Sequence, residues 1–210
     1  MFSPDILTFR EFVMQESLLL STIHGAVLEF LRGRDDVVVF GAQAVNAYVS
    51  EPRMTQDIDL ISNRASALAE ELRSYLNHRF RIALRVREIG EGKGYRLYQV
   101  QKQGNRHLVD LRPVVSLPLA RRIEQVLVMA PAELIASKVI AYYQRRGKPK
   151  AGTDWRDLAL LLLQFPDLKQ ESSLVFDCLQ AAGADAKILA VWQDLVEMEI
   201  VAEDDESEFE

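Results

Sequence analysis

Asp57 and Asp59 stand two residues apart in the stretch Asp57-Ile58-Asp59-Leu60-Ile61, whose alternation reads as a β-strand. Residues two apart on a strand project from one face, so the carboxylates sit side by side and repel. Such a pair is kept at little cost when water or a cation lies between the acids. Hard divalent ions such as Mg²⁺ take oxygen ligands, commonly one or two carboxylates together with substrate phosphates. An exposed strand end with two solvated acids is the plain alternative. Gly41 closes the apolar run Val37–Phe40 and opens a short helix-like segment. The free N–H groups of a helix start, and the close approach a glycine permits, suit a phosphate; a simple turn glycine is the alternative. Arg53 and Thr55 lie between the two features and would add donors.

A third carboxylate, Asp110, sits in the apolar stretch HLVDLRP between Val109 and Leu111. An acid inside a core-forming strand is costly unless it is paired or metal-bound. The choice lies between a metal and a salt bridge to Arg112 or another arginine. A phosphate cradle, a carboxylate pair and a third acid together fit metal-assisted transfer of a nucleotidyl group, in which two ions stabilise the attacking and leaving oxygens.

The elements that must position these residues follow from periodicity. Residues 8–31 carry Phe9, Phe12, Val13, Leu20, Ile23, Val27 and Leu31 near a 3.6-residue period and predict a helix. Val37–Phe40 predicts a short buried strand, residues 42–49 a helix ended by Glu51-Pro52, residues 57–61 a strand and residues 65–76 a helix. Residues 79–89 alternate, with Phe80, Ile82, Leu84 and Val86 on one side and Arg79, Arg81, Arg85 and Arg87 on the other, and predict a strand. A glycine-rich turn at residues 90–94 leads to strands over 95–101 and 106–111, and residues 117–119 and 126–129 add short extended pieces. From Pro131 onward the pattern is helical, with Pro131 suited to a first turn. The basic segment RRGKPKAG separates that helix from one starting near Thr153, and further helices are expected over 172–182 and 185–200.

Composition sets outer bounds. The chain has 210 residues, 49% hydrophobic and 27% charged, an ordinary globular balance. The net charge of -6 owes much to the last eight residues, EDDESEFE, which read as a solvated tail. A single cysteine, Cys178, allows no intrachain disulfide. The start of the chain lacks a signal-peptide core and no stretch approaches a membrane span, so a cytoplasmic protein without a membrane partner is expected. His24, His78 and His107 share no ligand spacing, which argues against zinc, and GEGKG lacks the strand–loop–helix context of a P-loop.

The run from Gly41 to Leu60 resembles the signature of the DNA polymerase β-like nucleotidyltransferase superfamily: a glycine followed by glycine or serine, a short helix, then often Arg-x-Thr/Ser-x-Asp-x-Asp. Gly41, Arg53, Thr55, Asp57 and Asp59 match in order and spacing, and Asp110 fits the separate third carboxylate. Further on, Glu133-Leu134-Ile135-Ala136-Ser137-Lys138 and Asp154-Trp155-Arg156-Asp157-Leu158 resemble more narrowly the bacterial abortive-infection toxin branch and related nucleotidyltransferase-like proteins. The resemblance covers most of residues 35–165. It departs at Ala42, where glycine or serine is usual, and at the inserted RRGKPKAG.

The resemblance implies an α/β (α+β) fold. A nucleotidyltransferase-fold domain with a mixed sheet and flanking helices would span residues 1–115, a helical bundle residues 116–202 and an acidic tail residues 203–210. It further implies transfer of a nucleoside monophosphate from an NTP to a hydroxyl acceptor. Two Mg²⁺ ions would be held by Asp57, Asp59 and Asp110. The triphosphate would lie against Gly41, Ala42, Arg53 and Thr55, with Lys138 reaching it and Asp157 orienting Lys138 or capping the helix near Thr153. The acceptor would be tRNA or another RNA, a protein side chain or a small molecule, and an antitoxin or other protein partner is expected. A nucleotide-binding or antitoxin-like protein of the same fold without catalysis is the rival reading. The arginine-faced strand has two readings, an edge protected by charge or a track for an RNA backbone.

Overall fold

Four successive apolar residues make β1 (Val37–Phe40), and all four are buried. An unbroken apolar run of this kind belongs inside a sheet covered on both faces. In the computed structural model, which describes residues 19–102 and 104–202, β1 lies between β2 (Ile58–Ser62), to which it is antiparallel, and β7 (Val126–Met129), to which it is parallel. The remaining strands are β3 (Leu84–Ile89), β4 (Gly94–Gln99), β5 (Arg106–Pro113) and β6 (Ala120–Ile123). The seven-stranded sheet has the order β3-β4-β5-β2-β1-β7-β6. Only β2–β5 and β1–β7 pair in parallel, so the sheet is mixed.

Helix α1 (Leu20–Leu31) precedes the sheet, and α2 (Gly41–Asn46) is a short helix directly after β1. Helix α3 (Ala65–Phe80) packs over β2, β3, β4 and β5. Its Leu68, Leu72 and Leu76 recur every four residues and join Ile58, Leu60, Leu97, Val109 and Leu111 in one core. Those strand residues alternate with Asp59, Asp110 and Arg96, and Arg87 of β3 pairs with Arg96. The four polar residues are in register across β2, β5, β4 and β3 and project from the face opposite α3. After the sheet come α4 (Pro131–Gln144), α5 (Lys150–Gln164), a 3₁₀ turn (Pro166–Leu168), α6 (Leu174–Ala181) and α7 (Ala186–Glu197), with α5, α6 and α7 all packed on α4. None of the described helices is long and apolar enough to cross a membrane.

Several expectations change in detail. Phe80 ends α3 rather than opening a strand, and Arg81 adopts a left-handed φ of 52° as its C-cap. Phe80 lies four residues beyond Leu76, a helical spacing that outweighs the local alternation. Arg79 therefore belongs to a helix and pairs with Glu29, leaving Arg85 and Arg87 as the arginines of β3. Strands β6 and β7 lie beyond residue 115, where the sequence pattern placed the start of the helical part, so helices alone follow only from Pro131. Helix α5 begins at Lys150, taking in the end of the segment read as a linker. The first part of the helix expected over 8–31 and the acidic tail fall outside the described residues.

One ion cluster ties β1 to the start of α3. Asp36 accepts from Arg34 at 2.8 Å and from Arg64 at 2.8 Å, and Glu71 bonds to both arginines. The Arg34 hydrogen bond, which outweighs burial, holds the Asp36 carboxyl below its ordinary 3.8. A depressed carboxyl contributes stability fully above the ordinary value and loses it as pH falls through the folded one. Asp36→Asn is therefore expected to flatten the decline of melting temperature below about pH 4, measured by thermal denaturation across pH. Parallel acid declines for the two proteins would show that the cluster contributes nothing.

Candidate active site

A cleft of about 560 Å³ opens between the carboxylate face of the sheet and helices α4 and α5. Four carboxylates line it, Asp57, Asp59, Asp110 and Asp154, together with six cations, Arg53, Arg96, Arg112, Lys138, Arg145 and Lys150. Gly41, Ala42 and Thr55 also line it. Of the residues picked out in the sequence, only Asp157 is not part of the wall.

Asp59 and Asp110 are register partners on neighbouring parallel strands, and Asp57 lies one residue before β2. Burial raises the Asp59 carboxyl to about 6, with Asp57 and Asp110 adding to the rise against Arg112 and Lys138. Gly41 has φ of +69°, and a Cβ there would lie 2.1 Å from Asp59 Oδ2. The glycine is thus required first by its own protein: the space it leaves is filled by Asp59 rather than held open for a ligand.

The expected salt-bridge alternative for Asp110 is present, but with a different arginine. Arg96, its cross-strand neighbour on β4, donates from Nε to Oδ1 at 2.8 Å, whereas Arg112 lies over the Phe40 ring at 4.7 Å. A histidine that the sequence reading set aside completes the group. His107 Nδ1 is 3.1 Å from Asp57 Oδ2, and its Nε2 is 3.1 Å from Asp110 Oδ1. The hydrogen bonds to Asp110 and Asp57 push the imidazole up to about 10. Asp57 is lowered chiefly by His107; for Asp110, burial is outweighed by His107 and Arg96, so it too is lowered. Donor atoms of Asp57, His107 and Asp110 lie within 4.8 Å of one another, and among the described residues this is the group of three or more that could hold a metal ion. Asp59 borders this group without being one of the three. Crowded carboxylates that recruit an imidazolium and a guanidinium are a donor set suited to a divalent cation.

The cationic wall is fixed by a second set of acids. Asp157 is fully buried. It accepts from Arg53 Nε at 2.8 Å, from Arg53 Nη2 at 2.9 Å and from Lys138 Nζ at 2.6 Å. Burial raises its carboxyl, but Arg53 and Lys138 outweigh burial and leave it lowered. Asp154 is likewise buried and accepts both bonds from Arg145 Nη1, at 2.9 and 2.8 Å. Asn46, at the end of α2, holds the Arg53 backbone from both sides, donating to its carbonyl at 2.8 Å and accepting from its N–H at 3.0 Å. Thr55 Oγ1 donates to Gln43 at 3.3 Å.

Residues 28–208 match the family model described as "Nucleotidyl transferase AbiEii toxin, Type IV TA system". The chain belongs to this family. As a member of the AbiEii nucleotidyl transferase family it is an enzyme, a nucleotidyltransferase. Its fold is similar to that of the Megavirus polyadenylate synthase, with a TM-score of 0.56 and 13% identity over 70% of this chain. The match spans 32% of that longer chain, about a third of its length. JHP933 from Helicobacter pylori is similar at a TM-score of 0.51 and 14% identity, over 84% of this chain and 88% of that one. At these identities the likeness is one of fold. No curated protein matches the sequence.

The Asp157 clamp has a direct consequence for stability. Removing one partner of a buried ion pair leaves the other charge uncompensated, at about 3–5 kcal/mol. Asp157→Asn is expected to destabilise the protein by roughly that amount in denaturant titration, because Lys138 is 7% exposed and has little access to water. A loss well under 1 kcal/mol would mean that Lys138 and Arg53 are not held by this carboxylate.

Proposed function

We propose that the protein transfers a nucleoside monophosphate from an NTP to a hydroxyl of an RNA acceptor, with Asp57, Asp59 and Asp110 holding the divalent metal. The carrying observation is the opposition of three carboxylates on the sheet to a wall of cations on α4, α5 and the Arg53 loop across one cleft. When bound, the metal would stabilise the charge that develops on the attacking and leaving oxygens.

The chain's own residues supply the rest of the reading. Lys138 and Arg53, fixed by Asp157, meet the negative charge of the triphosphate and of departing pyrophosphate. Thr55 and the backbone beside Gly41 and Ala42 add donors; with alanine at position 42, any contact there falls to the backbone N–H. Asp110 lies on the side toward β4 and β3 and would receive the proton of the attacking hydroxyl. The new bond joins that oxygen to the α-phosphorus as the bond to the β-phosphate bridge breaks.

The sheet face beyond Asp110 supports the choice of RNA as acceptor. Arg85 and Tyr98 are register partners there, as are Arg87 and Arg96, and Tyr98 in turn is paired with His107. Arg85 and Arg87 are exposed on the edge strand. Arginines beside an aromatic ring suit a phosphate backbone with unstacked bases, which favours RNA over a protein or small-molecule acceptor. The family's description as the toxin of a type IV toxin–antitoxin system supports reading this chain as the toxin of such a pair.

Incubation with each labelled NTP, Mg²⁺ or Mn²⁺ and total RNA is expected to place label in RNA. Asp110→Asn should reduce incorporation by a factor on the order of 10² or more, about 2.7 kcal/mol in the barrier, with the protein still folded. The double variant Arg85→Glu, Arg87→Glu should weaken RNA labelling while leaving NTP binding in place. Label appearing in protein or small molecules but never in RNA would overturn the acceptor assignment, and no labelling of any acceptor would overturn the transfer reaction itself.

A further inference from the structure

His107 and Asp110 are three residues apart on β5, so regular alternation would place them on opposite faces. A β-bulge changes the count. The β4–β5 register shifts between Leu97, paired with Val109, and Tyr98, paired with His107, so that Leu108 is the extra residue. Leu108 and Val109 are both fully buried, and His107 returns to the face of Asp110. Bulges of this kind occur next to active sites, where they re-aim a side chain. Here the re-aimed side chain is an imidazole set between Asp57 and Asp110, 3.1 Å from an oxygen of each. The ring of Tyr98, its cross-strand partner on β4, packs against it, centroid to centroid at 5.2 Å.

We propose that His107 is a nitrogen ligand of the metal held by Asp57 and Asp110, and that the site therefore prefers a transition dication of the Mn²⁺ class to Mg²⁺. The inference rests on the metal-dependent reading above and adds to it a ligand and a selectivity. Mg²⁺ is hard, binds oxygen and keeps its waters, whereas imidazole suits first-row transition ions, and Mn²⁺ accepts carboxylate and imidazole together. A cation entering among three donors that lie within 4.8 Å of one another meets a nitrogen as well as two oxygens. The imidazole ligates in its neutral form, the ion supplying the positive charge that the two carboxylates share. A histidine serving only to neutralise the acids would have to be displaced by the metal, and its removal would then tighten metal binding.

Those opposite signs are read by titrating the full chain with MnCl₂ and with MgCl₂ in a calorimeter, without nucleotide. Wild type is expected to bind Mn²⁺ more tightly than Mg²⁺. His107→Ala and His107→Gln are each expected to lower the ratio of Mn²⁺ to Mg²⁺ affinity by about tenfold or more. The glutamine variant keeps a polar side chain with an oxygen donor, so Mg²⁺ binding persists and circular dichroism confirms the fold. An unchanged ratio in both variants, or tighter binding of both ions once the imidazole is gone, overturns the proposal. If wild type binds both ions and only the ratio is insensitive to His107, the metal-dependent reading stands without this ligand. If it binds neither at millimolar concentration, both fall.

Discussion

Carboxylates crowded into a partly buried cleft repel, and the fold from residue 41 to residue 112 is arranged around that repulsion. Asp59 is pressed against Gly41, its carboxyl raised to about 6 by burial first and by the Asp57 charge next. Asp57 and Asp110 share the His107 imidazole, and Asp110 takes the Arg96 guanidinium as well. A strand register, a bulge and a left-handed glycine all serve to place like charges together and to give them positive partners. For stability alone, apolar residues at these positions would do as well or better, since buried ionic groups seldom repay their desolvation. The proposed nucleotidyl transfer gives a reason for keeping carboxylates there.

The opposite wall follows the same logic with the signs reversed. Lys138 on α4 and Arg53 in the loop before β2 converge on one fully buried carboxylate, Asp157 of α5. Arg145, just past the end of α4, and Asp154, about one turn before Asp157 on α5, form a second such pair. Each acid fixes a cation whose side chain would otherwise sample many rotamers, so less ordering is left for substrate to impose. Because Arg53 comes from the sheet side and Asp157 from the helical part, the clamp also joins the two halves of the cleft.

Much of this was legible in the sequence because it is local. The Asp-x-Asp pair, the glycine after an apolar run and the acid within HLVDLRP each announce a cost that calls for a reason, and all three border the cleft. What escaped depends on register and distance. Arg96 meets Asp110 only through the β4–β5 pairing, which no spacing along the chain reveals. His107 was set aside because it shares no ligand spacing with His24 and His78, and a period of two would not have recovered it: the bulge that brings it to the face of Asp110 is visible in the sequence only as two apolar residues, Leu108 and Val109, where one would be expected. The clamp role of Asp157, one of two suggested by family resemblance, could not be separated from helix capping until Arg53 and Lys138 were seen on its oxygens. The strand expected from residue 79 failed for a different reason: alternation and a four-residue repeat overlap at Phe80, and packing of α3 on the sheet decides between them.

The central claim is that the carboxylate group and the cationic wall act on one bound nucleotide. A crystal structure of the full chain soaked with Mn²⁺ and a non-hydrolysable NTP tests it most directly, with anomalous scattering to locate the metal. The account predicts an anomalous peak among Asp57, Asp59 and Asp110 and a triphosphate running toward Arg53 and Lys138. A nucleotide bound elsewhere, or bound in the cleft with no metal and His107 still bridging Asp57 and Asp110, would contradict it.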